Sequence, residues 1–310
     1  MHLRVISPSE TTEEVLSYLV AEPAVANLVV HRGAAVDPAG DVVIADVARE
    51  SANEVLRELK AMGLDKNGSI ALDAVGVALS SRGSEAEKAA PGAGDDAVVW
   101  EEIEQRTGEE SRLSVTFLLF LSIATVIAGI GVLLDQPILI VGAMVVGPEF
   151  GPLAALSVGV IRRRPRVIGR SLLALTVGFA VAIVVTVLST LALNAGGLVT
   201  REMLLGARPL TDFIWRPDAL SWVIAFLAGI AGILSLTTAK SGALIGVLIS
   251  VTTVPAAGNV AVAIAYGVPD EAWGSALQLG INLGAIATAG ILTLAVQRWL
   301  SRRRRPVARA

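Results

Sequence analysis

Residues 142–161 read GAMVVGPEFGPLAALSVGVI. The stretch has the apolar character of a membrane span, yet Gly147-Pro148 and Gly151-Pro152 interrupt it, and Glu149 stands between the two interruptions. Proline lacks the amide hydrogen that a helix needs and its ring clashes with the preceding turn. Two such breaks four residues apart are therefore expected to open the helix locally. Open backbone at membrane depth is tolerated only where protein buries it or where it lines a cavity. A carboxylate there costs about 2.5–3.5 kcal/mol on insertion scales and needs a reason to be present. Glu149 reads as the only ionisable residue inside the long apolar segments, which marks this stretch as a candidate site.

Composition points the same way. Of 310 residues, 54% are hydrophobic, and the mean hydropathy is +0.67, which places the chain among integral membrane proteins. Charge is unevenly split. Residues 1–110 carry 9 Lys/Arg against 21 Asp/Glu, and residues 111–310 carry 16 against 7. The absence of cysteine excludes disulfide and thiolate chemistry, and both histidines, His2 and His31, lie in the acidic part. No metal site, catalytic set or cofactor is expected in the membrane part. The acidic first part argues against nucleic acid as a partner. The polar start carries no cleaved signal peptide pattern.

The first 79 residues read as βαββαβ, which suggests a small ferredoxin-like α+β domain on the cytoplasmic side. Strands are expected over 2–7, 24–31, 41–47 and 69–75, with the turn RGAAVDPAG between the second and third. Thr11 with Glu14 and Ser51 with Glu54 form capping-box patterns that open two helices, the second stopped by Gly63. Residues 80–111 read as a linker of flexible composition followed by an acidic juxtamembrane helix.

The transmembrane domain, residues 112–298, divides into six spans at about 113–134, 137–161, 171–193, 219–237, 242–266 and 272–297. Arginines cluster after the second span (Arg162, Arg163, Arg164, Arg166, Arg170) and in the tail 299–310, and Lys240 follows the fourth. The positive-inside rule then makes this a multi-pass protein of the cell membrane with both termini cytoplasmic. The same arginines are candidates for contact with anionic lipid, in competition with the acidic domain.

Shifting the chain by 107 residues lays Pro148 on Pro255 and Gly151 on Gly258, so each half holds three spans with a break in the middle one. Three is odd, so the halves are expected to run in opposite senses. Such 3+3 inverted repeats with broken helices carry a site at the repeat interface in many secondary transporters. The second break sits in GVLISVTTVPAAGNVAVAIAYG, where Thr252, Thr253 and Asn259 lie beside Pro255 and Gly258. Asn282 and Gln278 in the last span are further polar candidates. Packing between spans accounts equally for such polar residues, and for the small pairs Gly147/Gly151, Gly242/Gly246 and Gly280/Gly284. Glu149 is either a functional carboxylate or a structural partner for Lys240, a freed backbone group or buried water.

IVGAMVVGPEFGPLAALSVGVI resembles the first motif of the hydrophobic membrane proteins grouped as domain of unknown function family 389, and ALIGVLISVTTVPAAGNVAVAIAYG is similar to their second block. The likeness covers roughly residues 110–297. The family pattern has an apolar residue where Glu149 stands, and paired prolines near Val254-Pro255-Ala256. The resemblance implies a multi-pass bacterial or archaeal membrane protein and supplies no activity.

Two functions compete. In the first, the chain is a secondary carrier or ion-coupled transporter of a small polar or ionic solute. Its site is Gly147, Pro148, Glu149, Gly151, Pro152, Thr252, Thr253, Pro255, Gly258, Asn259 and Asn282, with Glu149 carrying a proton or coordinating a cation. In the second, the spans anchor a sensor whose acidic domain reads a ligand or partner. Homo-oligomers fit either. An enzyme is not expected, because no nucleophile–base pair, carboxylate dyad or phosphate loop is present.

Overall fold

The structure is a computed structural model and describes residues 1–75, 79–90, 98–238 and 252–303. Lys240, Gly242, Gly246, the first part of the fifth predicted span and the tail arginines from residue 304 on lie outside the described residues. The chain divides into two compact units, one built on Met1–Glu102 and the other on Ile103–Trp299.

In the first unit, β1 (His2–Ser7), α1 (Thr12–Ala21), β2 (Val25–Val36), β3 (Ala39–Val47), α2 (Ala52–Ala61), α3 (Leu64–Asn67) and β4 (Ser69–Asp73) follow in order. The strands form one antiparallel sheet in the order β2-β3-β1-β4, with Leu3 opposite Ala45 and Val5 opposite Val43. Alternation along the strands puts Leu3, Val5, Val43 and Val47 on one face, where they are buried with Val15 and Leu19 of α1 and Val55 and Leu59 of α2. The hairpin runs further than expected. Most of RGAAVDPAG is strand, because Gly33 adopts a positive φ of 62° and gives its amide to Asp41 Oδ1 at 2.7 Å, so the polar stretch stays paired.

Neither capping box forms. Thr11 and Ser51 occupy the N-cap positions, but their side chains make no cap bond, and Thr11 Oγ1 donates instead to Pro8 O. The stretch 80–95, expected as linker, holds α4 (Ser81–Ala89), capped by Ser80, whose Oγ accepts from the Gly83 amide. The start of α5 (Trp100–Glu110) is tied to α2 by Asn53, which accepts from the Trp100 amide and donates to Val98 O.

In the second unit, α6 (Val115–Leu133), α9 (Pro165–Ala195), α11 (Ala219–Thr237) and α13 (Pro269–Arg303) are each long and apolar enough to cross a membrane. The pair α7 (Pro137–Val146) and α8 (Phe150–Arg162) bends by 50° at its junction and makes a fifth candidate span. This is a membrane protein. Between α11 and α13, α12 (Thr253–Ala265) has 13 residues, nearly all of them buried. The segment between α9 and α11 carries α10 (Arg201–Leu205) and a short 3-10 turn, Asp212–Ile214.

Elements of the two halves correspond closely. The starts of α6 and α11 differ by 104 residues, those of α8 and α12 by 103, and those of α9 and α13 by 104, rather than the 107 read from the prolines. Helices α6 and α11 are both 19 residues long, and α8 and α12 both 13. Pro165 and Pro269 open their helices. Proline fits there because its missing N–H would have no partner in a first turn.

Helix α12 packs on α6 and α9 of the first half, and α8, which packs on its neighbour α9, touches the second half at Ser157. Gly258 of α12 lies against Gly129 of α6: a Cβ on it would stand 2.8 Å from the Gly129 nitrogen and 3.0 Å from Thr125 O. Gly129 in turn faces Val262 of α12 and Thr186 of α9. In the same way Ser157 of α8 meets Gly290 of α13, beside Ile233 of α11. Gly229 of α11 packs as closely, on Ile286 and Ala289 of α13. Gly280 and Gly284, expected in that role, have nothing within 4 Å of an added Cβ among the described residues.

Candidate functional site

The apolar stretch around Glu149 contains one break, not two. Helix α7 stops at Val146, Gly147 takes an extended conformation, and Glu149 is the N-cap of α8. Gly151 and Pro152 lie inside the first turn of α8, where a missing N–H leaves no intrahelical bond unmade. Pro255 has the same third position in α12, and Thr252 is the N-cap there. The initial turns of α8 and α12 therefore begin alike, each with an N-cap residue that makes no side-chain cap bond.

These two N-termini meet. Thr253 Oγ1, in the first turn of α12, donates to Glu149 Oε1 at 2.6 Å. Glu149 is 5% exposed, and its Oε2 has no hydrogen-bond partner among the described residues. Gly147 is required beside it. A Cβ there would collide with Glu149 Oε2 and stand 2.7 Å from Val254 Cγ2. Helix N-termini carry partial positive charge, so two of them favour an anion between them, and the Glu149 carboxylate occupies that place.

Thr252 continues the polar set. Its Oγ1 accepts from Asn282 Nδ2 at 2.8 Å, and Asn282 Oδ1 accepts from Gln278 Nε2 at 3.4 Å. Thr252 and Asn282 are also on the wall of a cavity of about 270 Å³, whose other walls include Met144 of α7, Ala225 of α11, and Leu210 and Phe213 of the α9–α11 segment. Glu149 does not line this cavity and connects to it through the Thr252–Thr253 backbone.

The expected site residues thus fall into three groups. Glu149, Thr253, Thr252 and Asn282 come together, with Gly147 and Pro148 at the break and Gly151, Pro152 and Pro255 inside the first turns of α8 and α12. Gly258 is a packing contact. Asn259 belongs elsewhere: its Nδ2 donates to Glu271 Oε1 at 3.0 Å and to Ser275 Oγ at 2.8 Å.

Glu271 is the residue the sequence reading missed. Expected in a loop, it sits in the first turn of α13, 5% exposed, and takes Arg208 Nη2 at 2.5 Å. Glu149 is therefore not the only buried carboxylate in the membrane unit. Arg208 is 4% exposed, and its Nε and Nη1 have no partner among the described residues. A helical-period scan of α13 carries the missing signal, because Glu271, Ser275, Gln278 and Asn282 are spaced 4, 3 and 4 apart.

Contacts gather the loops at two ends of this unit. At one, Asp135 accepts from Thr211 Oγ1 and the Leu210 amide, and Arg201 donates to Tyr266 O. At the other, Arg298 donates to Ile161 O, and Glu104 pairs with Arg162 and Arg164.

Residues 144–288 match the family described as a domain of unknown function (DUF389), which bears out the resemblance of the two motifs. An uncharacterized protein of Methanocaldococcus jannaschii is 26% identical over 207 residues, 65% of this chain and 62% of that protein. The match thus spans less than two thirds of that relative's length. No solved structure matches.

Proposed function

We propose that this chain, which carries the DUF389 domain over residues 144–288, is a secondary carrier that couples movement of a small polar or ionic solute to protonation of Glu149. One observation carries the reading. A buried carboxylate stands at the only point where the N-termini of two short membrane helices face each other among the described residues, with one oxygen held by Thr253 and the other unpartnered. An intramembrane ionisable group is costly and marks an ion or proton path more often than a structural contact. Thr252 and Asn282 place a neighbouring cavity of about 270 Å³ in hydrogen-bond reach of the same junction, room enough for a small solute.

The paired lengths of α6 with α11 and α8 with α12, offset by 104 and 103 residues, support an inverted 3+3 repeat. The sheet order β4-β1-β3-β2 with helices between supports a ferredoxin-like first domain. The end bearing Arg162–Arg166 and Arg298 is assigned to the cytoplasm, where Arg163 and Arg166 meet anionic lipid.

The test is proton flux in proteoliposomes with an entrapped pH-sensitive dye, driven by a potassium diffusion potential, with small polar and ionic solutes supplied outside one at a time until one stimulates flux in the wild-type chain. The wild-type chain is expected to acidify the lumen at least tenfold faster than Glu149→Gln. Equal rates in the two would remove the carboxylate, and with it the coupling mechanism.

A further inference from the structure

Helix α13 presents four polar side chains along one face of a helix that is otherwise apolar at this depth. Glu271, Ser275, Gln278 and Asn282 recur at the helical period and are 5%, 0%, 1% and 1% exposed. They touch Arg208 at the loop end, Asn259 in the middle and Thr252 at the inner end. From Glu271 to Asn282, eleven rises of 1.5 Å make the face about 17 Å long, a little over half the ~30 Å hydrocarbon core. Beyond Asn282 the same face continues as Ala285, Ile286 and Ala289, all buried and apolar. The polar line stops where the Glu149 junction begins.

Hydrogen bonding along this line is incomplete. Arg208 Nε and Nη1, Asn259 Oδ1, Gln278 Oε1 and Glu149 Oε2 are buried without a partner among the described residues. Buried polar atoms that lack a protein partner are normally bonded to ordered water, because leaving them bare costs about as much as a lost hydrogen bond. Donors and acceptors both occur, which suits water rather than a single ion.

We propose that this face of α13 is a water-lined half-channel, which carries protons between Glu149 and the membrane face bearing residues 196–218, and is sealed beyond Asn282. It deepens the carrier reading by naming the side from which Glu149 exchanges its proton, and it rests on Glu149 being the proton carrier. Arg208 and Glu271 form its mouth as a neutral pair, which admits water without concentrating either sign of ion.

The chain has no cysteine, so single thiols can be placed without background. Ser275→Cys, nearly isosteric, and Gln278→Cys probe the line, Ile286→Cys the sealed part, and Arg164→Cys the opposite end of the unit. Each full-length variant is exposed in oriented membrane vesicles to a small, charged, membrane-impermeant thiosulfonate, from one side at a time. The expected result is labelling at 275 and 278 at least tenfold faster than at 286, and only from the side opposite to that which labels 164. Labelling at 275 and 278 as slow as at 286, or from the Arg164 side or from both sides, would overturn the half-channel. This readout needs no transport. Loss of the flux difference at Glu149 with one-sided labelling intact would sink the carrier reading and the proton traffic with it, and leave the water-lined face standing.

Discussion

Replacing Gly258 by alanine should loosen the contact that sets α12 against α6. The added Cβ would lie 2.8 Å from the Gly129 nitrogen, 3.0 Å from Ala128 Cβ and 3.0 Å from Thr125 O, where ordinary contact begins at 3.4 Å. Two of these atoms are backbone, so no flexible side chain yields, and the helices must part by about 0.5 Å. Overpacking of this kind costs about 1–3 kcal/mol. Alanine is also the better helix former by up to about 1 kcal/mol. The same substitution at Gly284, where an added Cβ meets nothing within 4 Å, carries only the propensity gain. The difference between the two variants therefore isolates the clash. At about 2–4 °C per kcal/mol for a unit of this size, Gly258→Ala should melt about 2–12 °C below Gly284→Ala. Thermal stability in detergent, followed by size-exclusion chromatography of heated samples, measures this. Equal melting of the two variants would refute the close Gly258–Gly129 crossing.

Glu271→Gln should destabilise by about 3–5 kcal/mol, because it strands Arg208 as a buried unpaired charge, and Arg208→Met combined with Glu271→Gln should recover most of the loss. The same heated-sample measurement checks it, and a double variant no better than the single would contradict a buried pair. In the first unit, the Gly33 amide, then the Thr12 hydroxyl and Arg32, hold the Asp41 carboxyl below its usual range. A depressed carboxylate stabilises the fold above its unfolded pKa near 3.9 and loses that contribution as pH falls through the folded value. Amide exchange of the β2–β3 hairpin, corrected for intrinsic rates, should thus rise below about pH 4 in wild type and show no such step in Asp41→Asn.

Much of this architecture was legible in the sequence. The fourth span, expected over 219–237, forms Ala219–Thr237, because the Asp218 side chain caps it by accepting from the Ser221 amide and apolar residues fill it. The break at Gly147-Pro148 was legible for an equally local reason. The Pro-x-x-Gly alignment failed because proline in a first turn does not interrupt a helix, so Pro152, not Pro148, is the counterpart of Pro255. The meeting of Glu149 with Thr253 links residues 104 apart and has no local signature. Glu271 was hidden by a boundary: α13 starts at Pro269 rather than 272, which turns a loop charge into a buried one.

The packing of α12 against α6 and α9 has a consequence for how the chain is made. A chain that ends before α11 has no Gly290 against Ser157 and no Gly258 against Gly129. Helices α6 to α9 on their own would leave the groove at Gly129 without the Gly258 and Val262 contacts of α12. The contact that fills the groove at Gly129 is thus made by residues more than a hundred positions later in the chain.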